Sequence, residues 1–189
     1  STFTYDNSRG WPLATQGGGH SLVPYPSLDQ TADALDYGES WRASAFRAGS
    51  PGETDPEPIR GIVINEIVAH TDYSNAAMPE FDSNDAIELF NAGDTVVAFT
   101  NWYLSDDVKD PGKWPIPPTL SLTVSNWLAF DEVTGFHNPT NTGFGLNKSG
   151  DEVIVSHLPG TDQDRIVDAV RFKAQRQGFS WNRYPDGED

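Results

Sequence analysis

The sequence predicts an all-β protein of sandwich type, and three observations carry that prediction. The 189 residues hold 14 Pro, 17 Gly and six Trp but few Lys or Met, a turn-rich composition that argues against a helical bundle. Apolar residues come in short runs rich in β-branched and aromatic types with an alternating pattern. These runs recur at roughly 8 to 12 residue spacing with turn residues between them, the rhythm of stacked antiparallel sheets.

The elements follow in order from Ile62. "IVINEIVAH" reads as a central strand, with Ile62, Ile64 and Glu66 on one face and a bulge that shifts Val63 and Ile67. "DAIELFN", after a polar loop, places Ile87 and Leu89 on one face and Glu88 and Phe90 on the other. In "TVVAFTNWYLSDD" the phase changes between Phe99 and Trp102, which predicts a strand, a corner and a second strand carrying Trp102 and Leu104. A Pro-rich connector, "PGKWPIPPTL", leads to "LTVSNWLAFDE", a strand, turn and strand in which Trp127, Leu128 and Phe130 are expected to fill the core. "GFGLNKSGDEVIVSHLPG" has a tight turn at Lys148 to Asp151 and then Val153 and Val155 alternating with Ile154 and Ser156. "DRIVDAVRF" closes the series with Val170 and Phe172. The best helical candidate is "TADALDYGESWRASAF", residues 31 to 46, weakened by its Asp and Gly.

Upstream, "GSPGETDPEP" from Gly49 to Pro58 has the composition of a linker and divides an N-terminal segment, residues 1–57, from a sandwich, residues 58–189. The segment echoes the end of the chain. "FTYDNSRGWPLATQGGG" and "VRFKAQRQGFSWNRYPDGE" each pass from an aromatic strand to a Trp with a Gly six residues on, Trp11 to Gly17 and Trp181 to Gly187.

Acidic residues outnumber basic ones, 28 to 12, for a net charge of -16, which repels a phosphate backbone and argues against nucleic acid as a partner. No apolar run approaches the roughly 20 residues of a membrane helix, and any targeting segment is expected to be removed or to lie outside these residues. The chain has no Cys, so neither disulfides nor thiol chemistry are available.

The ordered set "INEIVAH", "DAIELFNAGDTVVAFTNWYLSDD", "WPIP", "GFGLNKSGDEVIVSHLPG", "RIVDAVRF" and "SWNRYPDG" resembles the lamin-tail domain, an immunoglobulin-like β-sandwich of nuclear lamins and of many bacterial secreted proteins. The resemblance spans about residues 60–187, and residues 1–57 resemble the closing part of a second such domain. The Pro-rich ending that usually follows "RYPDG" is absent here. The resemblance implies an extracellular, non-enzymatic structural or binding module.

Residues 1–57 hold too few strands to bury two faces by themselves, so they are expected to dock on a sandwich. Strand addition to an exposed edge would do this, with Phe3, Tyr5, Trp11, Leu22 and Trp41 as assembly residues and "TFTY" and "HSLV" as the pairing stretches. The receiving edge belongs to a neighbouring copy, giving a filament or array, or to the chain itself; a fragment of a longer array is the third reading.

The four His are scattered without transition-metal spacing, and no nucleophile elbow, phosphate loop or dinucleotide fingerprint occurs. Acidic loops offer possible calcium oxygens at Asp82 and Asp85 and at Asp106, Asp107 and Asp110, without EF-hand spacing; solvated turns explain the same residues. Glu66 and Glu88 stand in strands that read as core. In the lamin-tail resemblance they match framework positions, which implies structural carboxylates bonded to polar groups or to Arg60, Arg171 or Arg183. Trp102, Trp114 and Trp127 offer a glycan platform as an alternative to core filling. The sequence thus points to a self-assembling or adhesive extracellular module, with an accessory calcium- or glycan-binding module of a larger secreted enzyme as the alternative.

Overall fold

The computed structural model describes residues 10–25, 34–59, 61–77, 79, 81–137 and 143–188. Among them run twelve antiparallel strands: β1 (Leu22–Pro24), β2 (Trp41–Ala43), β3 (Ile62–Val68), β4 (Ala86–Asn91), β5 (Val97–Ala98), β6 (Trp102–Ser105), β7 (Trp114–Pro115), β8 (Ser121–Leu122), β9 (Trp127–Asp131), β10 (Glu152–His157), β11 (Arg165–Arg171) and β12 (Trp181–Asn182). Two four-stranded sheets, ordered β11-β10-β6-β7 and β12-β3-β4-β9, form the sandwich, and β1-β2 and β5-β8 are two-stranded ribbons. The fold is an all-β sandwich without a barrel.

Alternation in β3 and β4 sets the inner face of one sheet. Ile64 stands opposite Leu89 and Ile67 opposite Ile87, and all four are fully buried. From the other sheet Leu104, Val153, Val155 and Val170 meet them, while Phe99 and Phe136 fill the ends. Burying each such side chain contributes about 1.5–3 kcal/mol, so this interior is what holds the two sheets together.

The predicted bulge in β3 is present, between Ile64 and Glu66, but it changes the face of Glu66. Asn65 is the extra residue and is itself buried, and beyond it the alternation reverses so that Ile67 points inward and Glu66 outward. The expected corner between β5 and β6 is turned at Asn101, which has φ 61°. Trp127 does not fill the core: it is 49% exposed, because the register of β9 against β4 places Leu128 and Phe130 inward. Trp102 is buried in the core, and Trp114 packs edge-on against Phe130 at 5.3 Å.

Between the sheets one ion pair closes an edge. Beyond the short β12, the N–H of Ile64 donates to Asp168 Oδ2 at 2.8 Å, and the Ile64 carbonyl accepts from Arg183 Nε at 3.0 Å. Arg183 Nη2 in turn meets Asp168 at 3.1 Å. Burial pushes the Asp168 carboxyl up, and the guanidinium opposes that shift.

Residues 34 to 46 form no α-helix. Two 3-10 turns, Ala34–Asp36 and Gly38–Ser40, lead into β2, and residues 31–33 lie outside the described residues. Asp36 and Gly38 interrupt the run, and Trp41–Ala43 pairs with β1 instead. The acidic stretch predicted as a linker is folded back. Asp55 pairs with Arg42 at 2.5 Å, both side chains being buried, and accepts from Ala45 N and Ser50 Oγ.

Candidate functional site

The N-terminal segment lies across the outer face of the β11-β10-β6-β7 sheet. Strand β10 alternates Val153 and Val155 inward with Ile154 outward, yet Ile154 is fully buried. What buries it is a second apolar cluster, in which Ala14, with Leu13 and Ala43, meets Val108, Ile154 and Ile166. Ala14 and Leu13 reach the sheet from a single 3-10 turn that follows Pro12. Gly18 makes the approach possible. A Cβ at this position would lie 2.5 Å from both the Ala14 carbonyl oxygen and Ile166 Cδ1, so no larger residue fits.

Polar contacts fix the register of this cover on the edge strand β11. His20 is 7% exposed, and its ring spans the interface. Its Nδ1 lies 2.8 Å from the Ser44 carbonyl, and its Nε2 receives the N–H of Ile166 at 2.9 Å. A carbonyl only accepts and an N–H only donates, so Nδ1 carries the proton and Nε2 the lone pair. Burial holds the His20 pKa below its ordinary value, and the nearby Arg47 charge pushes the same way. Arg47 donates from its backbone to the Asp164 carbonyl at 2.8 Å and from Nε to Gly18 O at 2.9 Å. On the exposed rim, Arg171 reaches Gln16 Oε1 at 3.2 Å.

Within the cover, Trp11 stacks on Trp41 with ring centroids 6.2 Å apart, and both are nearly buried. Clefts remain where the cover meets the sandwich. One of about 260 Å³ lies between β2 and β11. Another, of about 570 Å³, is lined by Trp11, Gln16, Tyr25, Glu39, Arg171 and Lys173 among others.

Of the predicted assembly residues, Trp11, Leu22 and Trp41 belong to this cover, while Phe3 and Tyr5 fall outside the described residues, as does the "TFTY" stretch. "HSLV" does not add to a sandwich edge. Leu22–Pro24 pairs with Trp41–Ala43 of its own segment, and contact with β11 runs through the His20 side chain instead. The echo between the two ends is not structural either: Trp11 precedes a helical turn, whereas Trp181 sits in β12, paired with β3.

The acidic loops do not converge. Among the described residues no three His, Cys, Asp or Glu side chains are placed to hold a metal ion. Asp106 pairs with Lys113 at 2.5 Å, Asp107 accepts from Lys109 N, and the Asp110 carbonyl accepts from Ser105 Oγ. Asp82 is exposed, while Asp85 is buried beneath the loops. One Asp85 oxygen accepts from Leu146 N and the other has no hydrogen-bond partner among the described residues; burial, helped by nearby Glu132, pushes the carboxyl up to about 6. Glu132, which sequence reasoning missed, accepts from Asp85 N, Ser83 Oγ and His137 Nδ1, so the group ties three loops together.

Glu66 and Glu88 face each other directly across β3 and β4 on the outer face, where the turn at Asp186 and Gly187 rests on Asn65 and Phe90. Asn65 Nδ2 donates to Glu88 at 2.9 Å. Among the described residues neither carboxylate is paired with Arg: Arg171 is held by Glu152 and Arg183 by Asp168, and Arg60 lies outside those residues. The exposed Trp127 stands two residues along the same face, packed on Phe90 at 5.6 Å and donating from Nε1 to Asp186 at 3.2 Å.

Fold and site together define an antiparallel β-sandwich with the outer face of one sheet covered by the chain's own N-terminal segment. No family model, curated protein or solved structure matches the chain.

Proposed function

We propose that this chain is a non-enzymatic, extracellular β-sandwich module of lamin-tail type that assembles by exchanging its N-terminal cover between copies. The observation that carries the reading is the cover itself. It is a separable layer, with its own Trp11–Trp41 stack and Arg42–Asp55 pair, resting on a defined patch of Ile154, Ile166 and Val108. The connection to β3 runs through residues 56–61, so the same patch on a second copy offers the same contacts, and exchange of identical elements is a low-cost route to oligomers. In support of the lamin-tail reading, the quoted motifs fall in order on β3, β4 to β6, β7, β10, β11 and β12.

The absence of Cys makes the test clean. Gln16→Cys with Arg171→Cys, linked by a short bismaleimide, reports whether cover and sandwich come from one chain or two. Exchange gives covalent dimers and larger species that grow with protein concentration. Cross-linked monomer alone at every concentration, with a monomeric mass by light scattering, refutes it.

One observation favours the alternative of an accessory glycan-binding module. The outer face of β12-β3-β4-β9, on which the turn at Asp186 and Gly187 rests, carries the half-exposed Trp127 beside the opposed Glu66 and Glu88, an aromatic surface next to hydroxyl-accepting carboxylates. Calorimetry with a panel of neutral glycans on the wild type and on Trp127→Ala tests it; heats that are saturable and lost in the variant support it, and no heat removes it.

A further inference from the structure

The cover is fastened at one point by a group whose proton inventory is fixed. His20 donates from Nδ1 to Ser44, inside the cover, and accepts at Nε2 from the Ile166 N–H, on the sandwich. A second ring proton would sit on Nε2 and point at another donor. The bond would be lost and the Ile166 N–H left buried without an acceptor. We propose that His20 is an acid-released latch, which holds the N-terminal cover on its sheet at neutral pH and frees it as the pH falls.

The surroundings favour this response. His20 is enclosed, so the imidazolium form is poorly solvated. Arg47 opposes the added charge, and Asp55, the acid that would welcome it, is already bonded to Arg42. From β11, Asp164 spends its carboxylate on the N–H groups of Gly160 and Thr161, and Asp168 is held by Arg183. The Arg165 guanidinium lies 5.9 Å from the Phe46 ring centroid, and Lys109 runs along Gly17. The Ser44 carbonyl and Asp55 favour the charged ring, but burial outweighs them and the net shift is downward.

The sign follows from linkage. In the docked cover the His20 pKa is depressed, and in the released cover it returns to about 6.5. Docking is therefore at full strength well above pH 6.5 and weakens as the pH falls below it, by at most about tenfold per pH unit, until the docked pKa is reached. The inference rests on the reading of the segment as a releasable cover, and it concerns release, not the copy on which the cover lands next.

Amide exchange of the full chain measures it. The Ile166 amide reports opening of the latch, with the Ile154 amide in the interior strand as reference. The protection of Ile166 relative to Ile154 is expected to fall by up to about fivefold from pH 6.5 to 5.5, to stay level in His20→Gln, and to keep its slope in Asp85→Asn. A level profile in the wild type, or the same slope in His20→Gln, overturns the latch. An Ile166 amide unprotected even at pH 7.5 overturns the docked cover itself, which separates the two failures. Imidazole nitrogen shifts give a readout that needs no variant: the Nδ1–H form with a midpoint below 6.5 is expected, and the Nε2–H form refutes the geometry.

Discussion

Gly18 is the tightest point of contact between the cover and the sandwich, and Gly18→Ala is the sharpest perturbation of it. The added methyl would meet the Ala14 carbonyl oxygen and Ile166 Cδ1 at 2.5 Å and Val108 Cγ2 at 3.1 Å. Ile166 has rotamers to yield with, but the Ala14 oxygen belongs to the backbone of a 3-10 turn and moves only if the turn does. Overpacking of this kind costs about 1–3 kcal/mol, and replacing Gly by Ala returns about 0.4–1 kcal/mol by restricting the released chain. The net expectation is a loss of about 1–2 kcal/mol, a factor of about 5–30 in the docking equilibrium. Limited trypsin digestion reads it, because cleavage after Arg47, held in the cover, tracks the open population when opening and closing are fast. Cleavage of Gly18→Ala should therefore be about 5–30 times faster than that of the wild type. Gly61→Ala, where the methyl enters open space, should match the wild type. Equal cleavage rates for Gly18→Ala, Gly61→Ala and wild type would show that Gly18 does not lie against Ile166 and would refute the docking geometry.

Three further outcomes are expected. Asp85, pushed up to about 6, binds its proton more tightly folded than unfolded, so its contribution is fully present below about pH 3.8 and is lost as the pH rises to about 6. Allowing for solvent screening this is about 1–2 kcal/mol, and Asp85→Asn should flatten that part of the plot of urea midpoint against pH. Glu66→Lys replaces a like-charge pair directly opposite Glu88 with an attractive one and should stabilise by about 0.2–1 kcal/mol, a gain visible in urea melts that shrinks in 1 M salt. Arg183→Met leaves Asp168 buried and unpaired, for a loss of about 3–5 kcal/mol; adding Asp168→Asn should recover part of it, and full additivity of the two would contradict a direct pair.

The sandwich was legible where alternation was long enough to choose a face. Ile87 and Leu89 had to share one side, and the phase shift around Asn65 announced a bulge. What the local pattern did not resolve was which way the chain leaves that bulge, so Glu66 was placed inward. In "WLAFD" two phases are open, and bulk favours Trp127; only the pairing of Leu128 with Leu89 across the ladder decides for the other. The cover was least legible. Its contacts come from Ala14, Gly18 and His20, small or polar residues without periodicity, and their partners lie far along the chain. The one available signal was the triple glycine before His20, which marks a close backbone approach, and which taken alone reads as a turn. Asp85 and Glu132 were obscured for a related reason, since an acid at a loop end looks solvated until the loops that close over it are known.

The separation of 146 residues between His20 and its partner Ile166 has a consequence for biosynthesis. On a ribosome moving at about 5–20 residues per second, the cover emerges some 7–30 seconds before the strand that receives it. During that interval Leu13, Ala14 and Ala43 have no sheet to rest on, so the cover must wait for a strand made 146 residues after His20.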